Sequence, residues 1–231
     1  MRWFWSFFTS SVGAKVIMAV TGVALVAFLI GHMVGNLQVF AGPDKLNAYA
    51  EWLHEHVKLL WTVRLGLIAV ALVHIYSSLR LTLLNRAARP ISYAMHKPVK
   101  STFSSRWMFV TGFLVLAFLI YHLLQFTFVA LNPEYAQLVD GLGRKDVYSM
   151  VVLGFQNVWV AGSYVIAMVL LGLHLNHAVA SMFQTLGVNH PRYNGILHSL
   201  GPIAAIVIAV GNITMPVAIL LGYVNLPTGG F

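Results

Sequence analysis

Five uninterrupted apolar stretches constrain this chain more than any other feature, because each is long enough to cross a lipid bilayer. They lie near residues 13–40, 59–85, 107–132, 151–186 and 198–223, and about 20 helical residues span a hydrocarbon core of about 30 Å. Strands of a β-barrel would instead alternate apolar and polar residues over about ten positions. The sequence therefore predicts an all-α polytopic membrane protein with five transmembrane helices, in a single domain over residues 1–231.

The composition favours a membrane protein over other classes. Hydrophobic residues make up 59% of the chain and charged residues 9%, which does not fit a soluble surface. The chain has no cysteine, which excludes thiolate-bound zinc, iron–sulfur clusters and covalently attached c-type haem. Membrane topology explains the net charge of +8 better than nucleic acid does. Neither an internal repeat nor a linker to a second domain is expected.

The charged residues predict which helix ends face the cytoplasm. The segment between the second and third spans carries basic residues and no acidic residue, with Arg86, Arg89, Lys97, Lys100 and Arg106. A basic loop of this kind is cytoplasmic, so the N-terminus is expected inside and the C-terminus outside. All six acidic residues, at positions 44, 51, 55, 134, 140 and 146, then fall in the two outer loops.

One histidine lies in the apolar middle of each of the first four spans, namely His32, His74, His122 and His174. Ionisable groups at membrane depth are costly and need a partner. Four in successive helices favour a shared role over four separate interhelical hydrogen bonds. Counted from the cytoplasmic ends of their spans, His32 and His122 lie about 25 and 24 Å deep, and His74 and His174 about 18 and 20 Å deep. The histidines are therefore expected at two levels.

Two imidazoles that face each other at equal depth are what bis-histidine haem ligation requires, because each donates one ring nitrogen to the iron. We therefore predict two b-type haems in a four-helix bundle, with the fifth helix beside it. His32 and His122 would ligate the outer haem, and His74 and His174 the inner haem. Zinc or copper would need ligands that converge on one point. A proton-coupled transporter would carry carboxylates within its spans, and this sequence has none there.

Several short segments around these histidines, at residues 29–36, 73–76, 121–123, 173–174 and 181–187, together resemble a known family. The chain is similar to the cytochrome b membrane subunit of succinate dehydrogenase and fumarate reductase, in its five-helix, single-subunit form with two haems. The resemblance implies the same pairing of ligands. It also implies a flavoprotein subunit and an iron–sulfur subunit on the cytoplasmic face of a bacterial cytoplasmic membrane, with no dicarboxylate site in this chain.

The resemblance further implies that menaquinone reacts near the outer haem. Glu55, at the outer entrance to the second span, is the candidate for proton exchange with the quinone, and a solvated loop is the alternative. Asn36 is a candidate quinone or propionate contact, with a helix contact as the alternative. Arg80 would pair with a propionate of the inner haem or extend to lipid headgroups. Some fumarate-reducing relatives carry a glutamate where this chain has Gly172, which favours succinate oxidation over fumarate reduction or another dehydrogenase.

Three smaller features complete the expectations. Glycines near the ligands would let a flat ring approach the helix backbone, and they are Gly31, Gly35 and Gly172. His177 lies one helical turn after His174 and is the alternative ligand or a helix contact. The basic segment 86–106 is the candidate docking site for the soluble subunits, with anionic lipid as the other explanation of its charge.

Overall fold

The structure is a computed structural model that describes residues 2–88, 101–188 and 190–227, the side chains of residues 2–4 excepted. The helices are α1 (Arg2–Thr9), α2 (Ser11–Asn36), α3 (Pro43–Glu55), α4 (Val57–Ala87), α5 (Phe103–His122), α6 (Val147–Gln156), α7 (Val158–Thr185) and α8 (Asn194–Leu220). A 3₁₀ turn, Leu37–Ala41, continues α2, and a π-helical turn, Leu123–Thr127, continues α5. A second 3₁₀ turn covers Pro133–Gln137.

Five helical segments are long and apolar enough to span a membrane. They are Ser11–Ala41, Val57–Ala87, Phe103–Thr127, Val158–Thr185 and Asn194–Leu220, with mean hydropathies between 1.8 and 2.3. Most large apolar side chains of α4 are exposed on the isolated chain, as expected for a helix in contact with lipid. The predicted all-α, multi-pass membrane fold with five spans is confirmed.

The fourth predicted span, residues 151–186, is two helices rather than one. The backbone of Asn157 is extended, at φ −75° and ψ 116°, and ends α6. Its Oδ1 accepts hydrogen bonds from the N–H groups of Trp159 and Val160, at 3.0 and 3.4 Å, which is how an N-cap begins a helix. The apolar run continues across this break, so hydropathy alone predicted a single span. The spanning part is α7, and α6 is a short buried helix before it.

Helix α7 is the centre of the bundle, because it packs against α2, α5, α6 and α8, while α4 packs against α2. The helices α4, α2, α7 and α5 thus follow one another around a four-helix bundle, and α8 lies outside it. The ring closes where the guanidinium carbon of Arg86 on α4 lies 5.5 Å from the ring centroid of Phe109 on α5. In this order the first and third spans are diagonal, as are the second and fourth.

The close contact between α7 and α8 depends on small residues. Gly172 on α7 faces Ala209 and the carbonyl of Ala205 on α8, and a Cβ at Gly172 would lie 3.4 and 3.6 Å from their nearest atoms. A side chain at Gly201 would collide with the backbone carbonyl of Asn176. Small residues let transmembrane helices approach closely. These contacts therefore fix the fifth span against the bundle.

Asn47 ties α3 to the segment before α6. The Asn47 side chain is 1% exposed, and its Nδ2 donates to Asp140 at 3.2 Å and to Asp146 at 3.0 Å. Its Oδ1 accepts from the N–H of Tyr148 at 2.9 Å. The two segments predicted as outer loops therefore lie at one end of the bundle. On the predicted cytoplasmic segment, Arg89, Lys97 and Lys100 lie outside the described residues.

An ion-pair cluster strengthens the same end. Arg144 pairs with Asp44 and with Asp140, both at 2.8 Å. Burial raises the pKa of Asp140, but hydrogen bonds from the backbone N–H and guanidinium of Arg144, from the N–H of Leu142 and from Asn47 outweigh it. The pKa of Asp140 therefore lies below its usual value. A cavity of about 450 Å³ lies beside this cluster, away from the four histidines.

Candidate functional site

The structure brings His32 and His122 together between diagonal helices. His32 lies in the last third of α2 and His122 is the last residue of α5. Their ring centroids are 5.7 Å apart and the rings are nearly perpendicular, at 86°. Imidazole–metal bonds of about 2 Å on opposite sides of one ion would place the centroids about 6 Å apart. The spacing of this outer pair therefore fits two axial ligands of one metal.

Aromatic side chains surround the outer pair. Phe28 stacks on His32 with centroids 5.3 Å apart, and Phe118 stacks on His122 at 6.1 Å. The hydroxyl of Tyr164, on α7, lies 3.1 Å from Nδ1 of His122. Tyr164 is 7% exposed, so its ring is fixed by packing. The Tyr164 hydrogen bond orients His122 and leaves Nε2 of His122 as the nitrogen available to a metal.

The inner histidines each contact a threonine on a neighbouring helix. Nδ1 of His74, on α4, lies 3.0 Å from Oγ1 of Thr21 on α2. Nδ1 of His174, on α7, lies 3.2 Å from Oγ1 of Thr111 on α5. The two rings are also within electrostatic range of each other. His174, rather than its neighbour His177, makes the contact with α5.

Glycines bring α2 and α5 against the inner rings, at positions that sequence analysis did not select. A Cβ at Gly22 would lie 3.6 Å from Cε1 of His74, and a Cβ at Gly112 would lie 3.3 Å from Cε1 of His174. The second distance is shorter than ordinary van der Waals contact. Both positions therefore leave the ring in close contact with the backbone of the adjacent helix.

The glycines that were predicted to lie beside a haem have other neighbours. Gly35 faces the ring of Tyr49, and Gly172 faces Ala209 of α8, while Gly31 has no described atom within 4 Å of a Cβ built on it. Gly172 therefore serves the packing of the fifth span. The expectation that it lets a cofactor approach is wrong.

A repeat relates α2 to α5, which corrects the expectation of no internal repeat. Residues 21–32 and 111–122 are identical at seven of twelve positions, with Thr, Gly, Ala, Phe, Leu, Ile and His in common. Each copy supplies a threonine and a glycine beside an inner histidine, a stacking phenylalanine and an outer histidine. Comparison of the sequence with itself at an offset of 90 residues would have revealed these contacts.

The repeat also sets the vertical distance between the two levels. Thr21 and His32 are 11 residues apart, as are Thr111 and His122. At 1.5 Å per residue this is about 16 Å along each helix. Since His74 contacts Thr21, the inner level lies toward the N-terminal end of α2.

The other candidate residues have local partners. Glu55 is exposed at the end of α3, and no ion pair to it occurs in the described ranges. Nδ2 of Asn36 donates to the carbonyl of His32 at 2.7 Å. The guanidinium of Arg80 donates to the carbonyls of Phe8 and Thr9 at the end of α1. Asn36 and Arg80 thus make helix contacts, which were the alternatives considered for them.

The π-helical turn after His122 contains a polar side chain that sequence analysis missed. Gln125 is 1% exposed, and its Oε1 has no hydrogen-bond partner among the residues described. Single π-helical turns occur frequently at functional sites. A buried acceptor of this kind needs a donor, so Gln125 marks a polar position three residues beyond the outer ligand.

The donor set fits haem better than a free metal ion. Each level offers two imidazoles, and no group of three or more His, Asp or Glu side chains converges on one point in the part of the chain that the structure describes. Two neutral nitrogens complete an iron whose other four ligands belong to a porphyrin. Zinc sites use three or four protein ligands. The arrangement is therefore suited to one-electron transfer at two separated positions.

Comparisons with models of protein families, with curated proteins and with solved structures give no match for this chain.

Proposed function

We propose that this chain is the diheme cytochrome b membrane subunit of a succinate dehydrogenase. It would pass electrons from an iron–sulfur subunit on the cytoplasmic face to menaquinone in a bacterial cytoplasmic membrane. The observation that carries the proposal is the pairing of His32 with His122, whose centroids are 5.7 Å apart. A second pair about 16 Å along the same helices supports it.

The residues around each level have distinct roles in this proposal. Haem b, when bound, supplies a one-electron carrier. The four imidazoles hold the two carriers at fixed depths, and the hydrogen bonds to their Nδ1 atoms orient them. Apolar and aromatic neighbours exclude water and so contribute to the reduction potentials. The helices therefore act as a rigid scaffold for electron transfer across the membrane.

Reduction of menaquinone takes up two protons with two electrons, so the outer end needs a proton donor. Glu55 is the proposed donor, because it is exposed at the end of α3 and precedes the second span directly. Gly172 faces α8 and carries no carboxylate, which leaves no proton carrier at that point of α7. This arrangement supports succinate oxidation as the direction. Quinol oxidation with fumarate reduction is the rival.

The haem content tests the proposal. The protein purified with its native partners is expected to contain two b-type haems per chain in the visible spectrum. His74→Ala and His174→Ala should each lose the same haem, and His32→Ala and His122→Ala should each lose the other. His177→Ala is the matched control and should keep both haems. A folded, colourless wild-type protein would eliminate the proposal.

The partners and direction require a second experiment. The purified complex is expected to contain a flavoprotein and an iron–sulfur protein and to reduce a menaquinone analogue with succinate. Glu55→Gln should lower this activity while both haems remain, and Glu51→Gln, on the same helix, should not. Recovery of a different dehydrogenase would assign the haem protein to another complex. Loss of activity in both variants would remove the specific role of Glu55.

A further inference from the structure

The hydroxyl groups that contact the inner histidines have already used their only proton. Oγ1 of Thr21 donates to the carbonyl of Ile17 at 2.8 Å and is 3.0 Å from that of Met18. Oγ1 of Thr111 is 3.0 Å from the carbonyl of Trp107 and 3.2 Å from that of Met108. A hydroxyl group has one proton and two lone pairs. Each Oγ1 therefore accepts the hydrogen bond that joins it to the imidazole.

The histidine must then be the donor in both contacts. A neutral imidazole carries one N–H donor and one acceptor nitrogen. With the proton on Nδ1, the lone pair is on Nε2. The carbonyl of Met18 is a further hydrogen-bond acceptor for the ring of His74, which agrees with the same assignment. Both inner histidines are thus in the form that binds a metal through Nε2.

We propose that Thr21 and Thr111 are positioning residues that fix His74 and His174 as the Nδ1–H tautomer, with Nε2 available to the iron. This inference rests on the proposed function. A hydrogen bond from the second ring nitrogen of a ligand raises its basicity, which stabilises the oxidised iron. The outer pair lacks such threonines, because His122 meets the hydroxyl of Tyr164. The two threonines therefore adjust the inner haem alone.

Removal of the acceptor tests the proposal in the purified complex. Thr111→Val keeps the shape of the side chain, and it is expected to raise the reduction potential of the inner haem and weaken its binding about 10- to 100-fold. The outer haem should be unchanged. Thr21→Val should act on the same haem but less strongly, because the carbonyl of Met18 remains. Thr111→Ser restores the acceptor and should restore both properties.

Thr82 provides the matched control. Its hydroxyl donates to the carbonyl of Ser78 at 2.9 Å, one turn back on α4, as Thr21 and Thr111 do on their own helices. Thr82→Val should therefore leave both haems unchanged. An unaltered inner potential in Thr111→Val with both haems bound would overturn the proposal, as would an effect confined to the outer haem.

A direct measurement separates this proposal from the proposed function. The ¹⁵N resonances of histidine in the full-length chain without haem, assigned with the His74→Ala and His174→Ala variants, report which nitrogen carries the proton. Protonated Nδ1 at both positions is expected. Protonated Nε2 at either position would overturn the inference. Absence of haem from the wild-type complex would overturn the proposed function, and the tautomer would still be measured.

Discussion

Asn47→Leu should destabilise the outer end of the bundle by about 3 kcal/mol. The substitution leaves the buried N–H of Tyr148 without an acceptor, which costs about 2 kcal/mol. It removes hydrogen bonds to Asp146 and Asp140, together worth about 2.5 kcal/mol, the second less because Arg144 still donates to Asp140. Burial of the leucine side chain offsets about 1.5 kcal/mol. The sum is large compared with ordinary surface substitutions.

Equilibrium unfolding in mixed micelles with rising SDS content measures this difference in the free energy of unfolding. Asn132→Leu is the control, because Asn132 is exposed and bonds only to Glu134 at 3.2 Å. The control should change stability by less than about 0.5 kcal/mol. A loss below about 1 kcal/mol in Asn47→Leu would show that these hydrogen bonds do not hold α3 to the loop before α6.

Two further predictions concern an inner ring and the acid stability of the outer end. Gly112→Ala should displace the ring of His174 and lower inner-haem content, since the new Cβ would lie 3.3 Å from Cε1, whereas Gly22→Ala, at 3.6 Å, should be tolerated; equal haem loss in the two variants would contradict this reasoning. Because the pKa of Asp140 is lowered in the folded state, its contribution is complete above the unfolded pKa of about 3.9 and is lost as the pH falls through the lower folded value. Thermal unfolding of Asp140→Asn between pH 5 and 2 should therefore depend less on pH than that of the wild type, and identical profiles would show that this carboxyl does not contribute.

Hydropathy was sufficient to predict the five spans but not the way the chain enters the fourth. The apolar composition is continuous from α6 to α7, and the break depends on the extended backbone and local hydrogen bonds of Asn157. A window of about 20 residues averages over such a cap. The short helices α3 and α6 were missed for a related reason, because they are not spans and lie in segments treated as loops or span ends.

The candidate site was predictable in part. Counting residues along helices is enough to place four histidines at two depths, because the helical rise is constant. Their hydrogen-bond partners depend on tertiary packing, since Thr21 and His74 are 53 positions apart and Thr111 and His174 are 63 apart. The repeat in α2 and α5 was the one sequence signal that pointed to these threonines. The packing role of Gly172 depends on α8 and had no such signal.

The shared use of α2 and α5 has a mechanical consequence. Each of these two helices carries one outer imidazole and also presses against one inner imidazole. A tilt or axial slide of either helix would disturb both levels in concert, whereas a small movement of α4 would disturb only the inner one. Strain delivered from either face of the membrane to α2 or α5 would thus reach both rungs of the ladder at once.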